Sequence, residues 1–164
     1  MTADYFRTMF GYTSWAWRRV LDQVAQVSQD DYVASPFRSY PCMRGTLVHA
    51  LAAEMRYLTI WKGEPFVDRP DEILLPTVVE LRDAWAGQEK AREAFLFSLT
   101  DQQCTSVITQ LNRNNEETKT PLGMLMTQAV THHMQHRSEI ALQVSQLGHS
   151  PGDLDFSRYY RELN

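Results

Sequence analysis

The sequence predicts an all-α fold: a four-helix bundle with long crossover loops, a short β-hairpin before the last long helix and a short C-terminal helix. Three observations carry that expectation. Four long stretches repeat their apolar side chains at three- and four-residue steps, the period of helices that bury a face. Segments bearing proline and glycine separate the first three. Ahead of the fourth, residues 103–120 change type, with β-branched residues on either side of an asparagine-rich turn signal.

The first helix is expected over residues 3–28, with Phe6, Phe10, Trp17, Val20, Leu21, Val24 and Val27 at helical steps. Gly11 in its middle costs about 1 kcal/mol against alanine, which implies a kink or a close contact there. Residues 29–42 hold two prolines and several small polar residues, and read as a partly extended loop. The second helix, residues 43–61, carries Leu47, Val48, Leu51, Ala52, Met55 and Leu58 on one side. Thr46, His49, Ala53 and Ile60 lie on the other, and a helix apolar nearly all round is a buried one. His49 is thereby placed inside the protein, on a face of small residues that a partner helix can approach.

Residues 62–76 form a second loop, with Gly63, Pro65, Pro70 and Pro76. Thr77 and Glu80 then match a capping box that opens a third helix, with Val78, Leu81, Trp85, Phe95 and Leu99 on one face and an end near Thr100. Thr105, Val107, Ile108 and Thr109 favour a strand, residues 112–115 a turn, and residues 116–120 a returning strand. Thr120 as N-cap and Pro121 as first helical residue open the fourth helix, which Gly148 closes. A short helix or turn over residues 153–163 ends the pattern. Connections of ~14 residues between the first three helices permit crossovers in place of a strict up-and-down order.

At 164 residues the chain is expected to be one domain, residues 1–164. Apolar residues make up 43% and charged residues 22%, ordinary for a globular protein. A net charge of −4, with 16 scattered Lys and Arg, gives no footprint for nucleic acid. Cys42 and Cys104 lack metal or redox spacing and read as structural free thiols of a reducing cytoplasm. There is no signal-peptide layout and no apolar run near ~18 residues, so a soluble cytoplasmic protein with no membrane partner is expected. Serine-hydrolase, phosphate-loop and dinucleotide motifs are missing, and so is the paired ExxH set of a di-iron bundle.

The chemistry concentrates in the fourth helix, where His132, His133 and His136 fall within five residues. Residues four apart point the same way one turn apart, so two imidazoles there share one ion while a third arrives from another helix. Neutral imidazole suits zinc, nickel, copper or iron. The bland reading makes His49 a hydrogen-bonded core histidine and the others boundary residues. His133 and His136 also share a face, and on the helical wheel His133 sits deeper in the apolar stripe than His132, so periodicity does not choose between the two pairs.

With His49 in LVHALAAEMRYL, the run HHMQHRSEIALQVSQLGHSPGDLDFSRYY and the early WAWRRVLDQV, the chain resembles the DinB-like (DinB/YfiT-like) family of metal-binding four-helix bundles over essentially its whole length. In that family a histidine of the second helix joins an HxxxH pair of the fourth. The pair ends in an HRGQ-type motif, which here reads His136, Arg137, Ser138, Glu139. The tail motif is carried by Leu147, Gly148, Pro151, Asp155 and Tyr159.

The resemblance selects His49, His132 and His136 as the metal ligands and leaves His133 a flanking residue. Ser138 and Glu139 depart from the usual glycine and glutamine. Glu139 is expected near the surface, with a carboxylate held behind an imidazole as the alternative. Glu54 is open in the same way, between a carboxylate held behind an imidazole and a surface or salt-bridge role, and Arg137 is expected as a flank ion-pair residue with an anionic substrate as its alternative. The resemblance further implies a divalent ion, zinc or nickel, and a homodimer. It implies thiol-dependent S-transfer using bacillithiol, mycothiol or glutathione, or hydrolysis, on a small-molecule substrate in stress or detoxification. A non-catalytic stress-response protein with a structural or sensory metal is the other class.

Overall fold

The computed structural model describes residues 1–34, 42–64, 75–111, 114 and 116–163. The elements in chain order are α1 (Ala3–Val24), α2 (Gln29–Val33), α3 (Met43–Lys62), α4 (Val78–Ser98), α5 (Asp101–Thr105), β1 (Val107–Leu111), β2 (Glu117–Pro121), α6 (Leu122–Gln146) and α7 (Phe156–Glu162). The fold is all-α with one short antiparallel hairpin, as the sequence predicts. No helix is long and apolar enough to cross a membrane among the described residues.

The four long helices pack in a ring, α1 against α6, α6 against α3, α3 against α4 and α4 against α1. Most of their buried residues form two apolar clusters, and Tyr12 and Ala16 of α1 join Tyr159 of α7 in a smaller third. One gathers Trp17, Val20, Leu47, Leu51, Leu81, Trp85 and Ile140, and the other Phe6, Phe10, Leu58, Trp61, Leu96, Met126 and Val130. Tracing each helix from one cluster to the other shows that α1 and α6 run one way and α3 and α4 the other. The chain between α3 and α4 therefore joins opposite ends of the bundle: Trp61 lies in one cluster and Leu75 in the other. Its 15 residues reach up to about 50 Å when extended, while α3 is only about 30 Å long. That connection is the crossover.

Between the two clusters every long helix contributes polar side chains to one buried layer. Arg92 Nη1 of α4 donates to Glu54 Oε1 of α3 at 2.6 Å, and Arg92 Nη2 donates to Ser14 Oγ of α1 at 2.6 Å. Glu54 Oε2 pairs with His133 Nε2 of α6, and Trp17 Nε1 of α1 donates to His133 Nδ1 at 3.1 Å. Charges taken from water cost several kcal/mol each unless paired and hydrogen-bonded, and these are both. Burial alone would raise the pKa of Glu54, yet the charge of Arg92 and the hydrogen bonds from His133 and Arg92 outweigh it and bring it down to about 2.

The termini of the elements follow local chemistry. Thr77 and Glu80 form the expected capping box of α4. Gly148, at φ 87°, closes α6, with Gly148 N donating to Ser145 O and His149 N to Val144 O, the paired bonds of a left-handed C-terminal cap. Cys42 is the N-cap of α3, its Sγ accepting from Gly45 N at 3.3 Å. Gly11 answers a close contact, because a Cβ there would lie 2.4 Å from Tyr159 Oη of α7.

Four local expectations are corrected. Helix α1 stops at Val24, and part of the expected loop is α2, capped by Ser28 and anchored by buried Tyr32; residues 35–41 of that expectation lie outside the described residues. Thr100 and Gln103 form a second capping box that starts α5, so Thr105 is helical and the strand begins at Val107. Thr120 is not the N-cap of α6. Ile108 pairs with Thr120 and Val107 with Pro121, which keeps the backbone extended up to Pro121, and Leu122 N donates to Ser106 O at 2.9 Å. Most of the turn expected over residues 112–115 and most of the loop over residues 62–76 lie outside the described residues.

Candidate metal centre

Helix α3 carries His49 and the neighbouring α6 carries His132 and His136, and the packing of these two helices brings the three rings together. His132 Nε2 lies 3.2 Å from His49 Nε2 and 3.2 Å from His136 Nε2, and one nitrogen from each ring falls within 4.8 Å of the others. His136 is buried, whereas His49 and His132 are half-buried.

Glu139, one turn beyond His136, accepts a hydrogen bond from His136 Nδ1 at 2.9 Å. A neutral His136 with its proton on Nδ1 turns the lone pair of Nε2 toward the other two rings. Burial, and then the proximity of His136, His133 and His49, hold His132 down to a pKa of about 4, so it is a neutral imidazole at pH 7. A single proton on His132 Nε2 can serve one of its two neighbours but not both. Its other nitrogen, Nδ1, is buried with no hydrogen-bond partner among the described residues.

Three convergent nitrogens that protons cannot jointly satisfy suit a cation. Metal–nitrogen bonds of 2.0–2.1 Å at tetrahedral angles separate the nitrogens by about 3.3 Å, close to the 3.2 Å found for the two pairs that share His132. The triad could therefore hold a divalent ion.

His133, one residue from His132 but rotated about 100° around the helix, faces the interior and is fully buried. Trp17 occupies its Nδ1 and Glu54 its Nε2, so neither nitrogen is available. It is a core residue, not the flanking one expected, because α1 and α3 supply partners for both ring nitrogens. Glu54 is likewise no surface residue, at 2% exposure, although its expected salt-bridge role is met. Glu139 takes the alternative role, its carboxylate a quarter exposed and set behind an imidazole. Among the described residues Arg137 has no ion-pair partner, and it is not open to a substrate. It is buried, donates to Tyr12 Oη at 2.7 Å and lies over that ring, while Tyr12 Oη donates to Leu154 O.

His49 and His132 open onto a cleft of about 460 Å³ between α3, α6 and β1. Arg56, Tyr57 and Gln128 line it, and the sequence reading passed over all three. Helical spacing carried the signal: Arg56 is seven residues after His49, Tyr57 eight after it, and Gln128 four before His132. Ala53 and Ile60, expected on the same side of α3 as His49, belong to this wall, and so does Ala52, which was expected on the opposite side.

The model of the DinB family matches residues 1–162. The chain belongs to the DinB family. No curated protein matches it. The family match covers the HRGQ-like segment and the tail as well as the triad, so the DinB resemblance read from short motifs extends across the bundle.

Proposed function

We propose that this DinB-family protein is a divalent-metal-dependent enzyme, a thiol-dependent S-transferase or a hydrolase, with His49, His132 and His136 as its ligands. The observation that carries the reading is the convergence of three imidazole nitrogens at the edge of a cleft large enough for a small molecule. Zinc and nickel both suit an all-imidazole set. A bound ion would supply one thing, a lowered pKa for a coordinated water or thiol at neutral pH. The side chains do the rest. His136 is oriented by Glu139, His132 stays neutral, and the cleft walls admit and hold the substrate.

A purely structural or sensory metal site would call for a fourth protein ligand, and the commitment of both His133 nitrogens weighs against that histidine as one. The proposal extends to a low-molecular-weight thiol as cosubstrate, a cytoplasmic setting in stress or detoxification, one domain over residues 1–164 and a homodimer. Four helices sharing one polar layer support the single domain. Phe97, 88% exposed on α4, is a side chain that a second subunit would shelter, and light scattering tests that assembly.

The metal reading is tested by elemental analysis of purified protein and of the His49→Ala and His136→Ala variants. Near-stoichiometric metal that both variants lose is expected; metal content unchanged in either sinks the site. With metal loaded, bacillithiol, mycothiol and glutathione are screened for a rise in melting temperature. No rise with any of them removes the transferase reading.

A further inference from the structure

A second cavity, of about 500 Å³, opens between α1, α4 and α7. In the ring of helices its α1–α4 side lies opposite the α3–α6 side that holds the triad. Phe10, Trp15, Phe97 and Tyr159 give it aromatic walls, extended by Leu96 and Leu163. Each charged side chain among the described residues of the wall is in an ion pair: Arg7 with Asp4, Arg18 with Glu89 and Glu93, and Arg92 with Glu54. The cavity therefore offers a ligand no spare charge of either sign.

Two polar groups of the same wall are unmatched. Tyr159 is 8% exposed, and its Oη packs against Gly11, which lines the cavity beside it. That hydroxyl has no hydrogen-bond partner among the described residues. Burial raises its pKa, so it keeps its proton and is a donor at neutral pH. Arg92 gives Nη1 to Glu54 and Nη2 to Ser14, while its Nε has no partner among the described residues. Buried polar groups nearly always find partners, so an unmet donor on a cavity wall calls for an acceptor. A mostly apolar pocket with a few placed polar atoms is the usual form of a small-molecule site.

We propose that this cavity is a second ligand site, separate from the triad, for a small neutral aromatic molecule whose carbonyl oxygen accepts from Tyr159 Oη. The four rings of the wall suit an aromatic body by stacked or edge-to-face contact. The full pairing of Arg7, Arg18, Arg92 and Glu93 selects against a charged one, whose burial without a partner is costly. The site does not depend on the metal reading and is tested apart from it.

Four planar probes of one shape test this by nuclear magnetic resonance titration of the isotope-labelled full chain: acetophenone, α-methylstyrene, benzoate and benzamidine. They set a ketone, a hydrocarbon, an anion and a cation on the same ring. Acetophenone is expected to bind about fivefold more tightly than α-methylstyrene, the range of one net hydrogen bond, and more tightly than either charged probe. The Gly11 amide and the Trp15 indole should shift on binding, while Gln128 in the triad cleft stays unmoved. Tyr159→Phe keeps the ring and removes only an unpartnered hydroxyl. It should equalise acetophenone and α-methylstyrene and leave the affinity for α-methylstyrene as it was. Equal affinity of those two in the unaltered protein, a preference that survives Tyr159→Phe, tighter binding of a charged probe, or shifts centred on Gln128 overturns the inference. So does the absence of saturable binding, the result expected if a second subunit closes over Phe97 and fills this face instead.

Discussion

Glu139 shows how one side chain decides what another can do. Its carboxylate accepts a hydrogen bond from His136 Nδ1 and so presents the opposite nitrogen to the triad. Carboxylates placed behind metal-binding histidines are worth 10- to 100-fold in affinity, so Glu139→Ala should weaken metal binding by about that factor, read by chelator competition. His133 makes the contrasting case. Because its nitrogens belong to Trp17 and Glu54, His133→Ala should leave metal content unchanged yet cost about 3 kcal/mol in urea unfolding, by breaking a buried charged network. Metal lost together with the fold's stability would contradict that division of roles. At this scale the sequence was only partly legible. Spacing set His133 deeper in the apolar stripe but did not choose between it and His132, because a helical wheel reports the direction of a side chain and not which partners wait there.

Single elements answer to local rules, and those rules read well where an element is long or sharply punctuated. The Thr77–Glu80 box, the Gly148 terminus and the paired strands around residues 107–121 all follow from neighbouring residues. Thr77→Ala should cost about 1 kcal/mol, lowering the melting temperature by about 2–4 °C in a domain of this size. Calorimetry would show it. Gly11 gives a less obvious expectation. Alanine there improves the intrinsic propensity of α1 but drives its Cβ into Tyr159 Oη. Gly11→Ala should therefore speed hydrogen exchange through α7 while α1 stays protected. The five-residue helices α2 and α5 escaped notice because they are too short to show a period. Their capping residues, Ser28 and the Thr100–Gln103 box, were the signal available.

The whole molecule is organised around its buried polar layer, to which α1, α3, α4 and α6 all contribute. Glu54, with its pKa lowered from 4.5 to about 2, contributes stability that is present above pH 4.5 and lost as the pH falls toward 2. His132, lowered from 6.5 to about 4, acts in the same direction at higher pH. Unfolding lets it take up a proton, so the metal-free protein loses stability as the pH falls from 6.5 toward 4. Denaturation followed across this range should show both losses in the metal-free protein, and Glu54→Gln should flatten the lower one. Metal should act by mass action. Free ion at a hundredfold excess over its Kd stabilises by about 2.7 kcal/mol, so a chelator should lower the melting temperature of loaded protein by several degrees.

By itself the sequence determined the helical class, the four long helices, the hairpin and the Thr77–Glu80 and Gly148 caps, since each depends on residues close together in the chain. Its short DinB-like motifs also singled out His49, His132 and His136. What only the tertiary structure decided is which groups meet. The parallel pairing of α3 with α4, the burial of Glu54, Arg92 and Arg137, and the separation of His133 from its neighbours all depend on contacts between residues far apart in sequence. Periodicity places a side chain on a face of its helix. The charge or ring across from it comes from another helix, and that partner decides whether the side chain is a ligand, a salt bridge or part of the core.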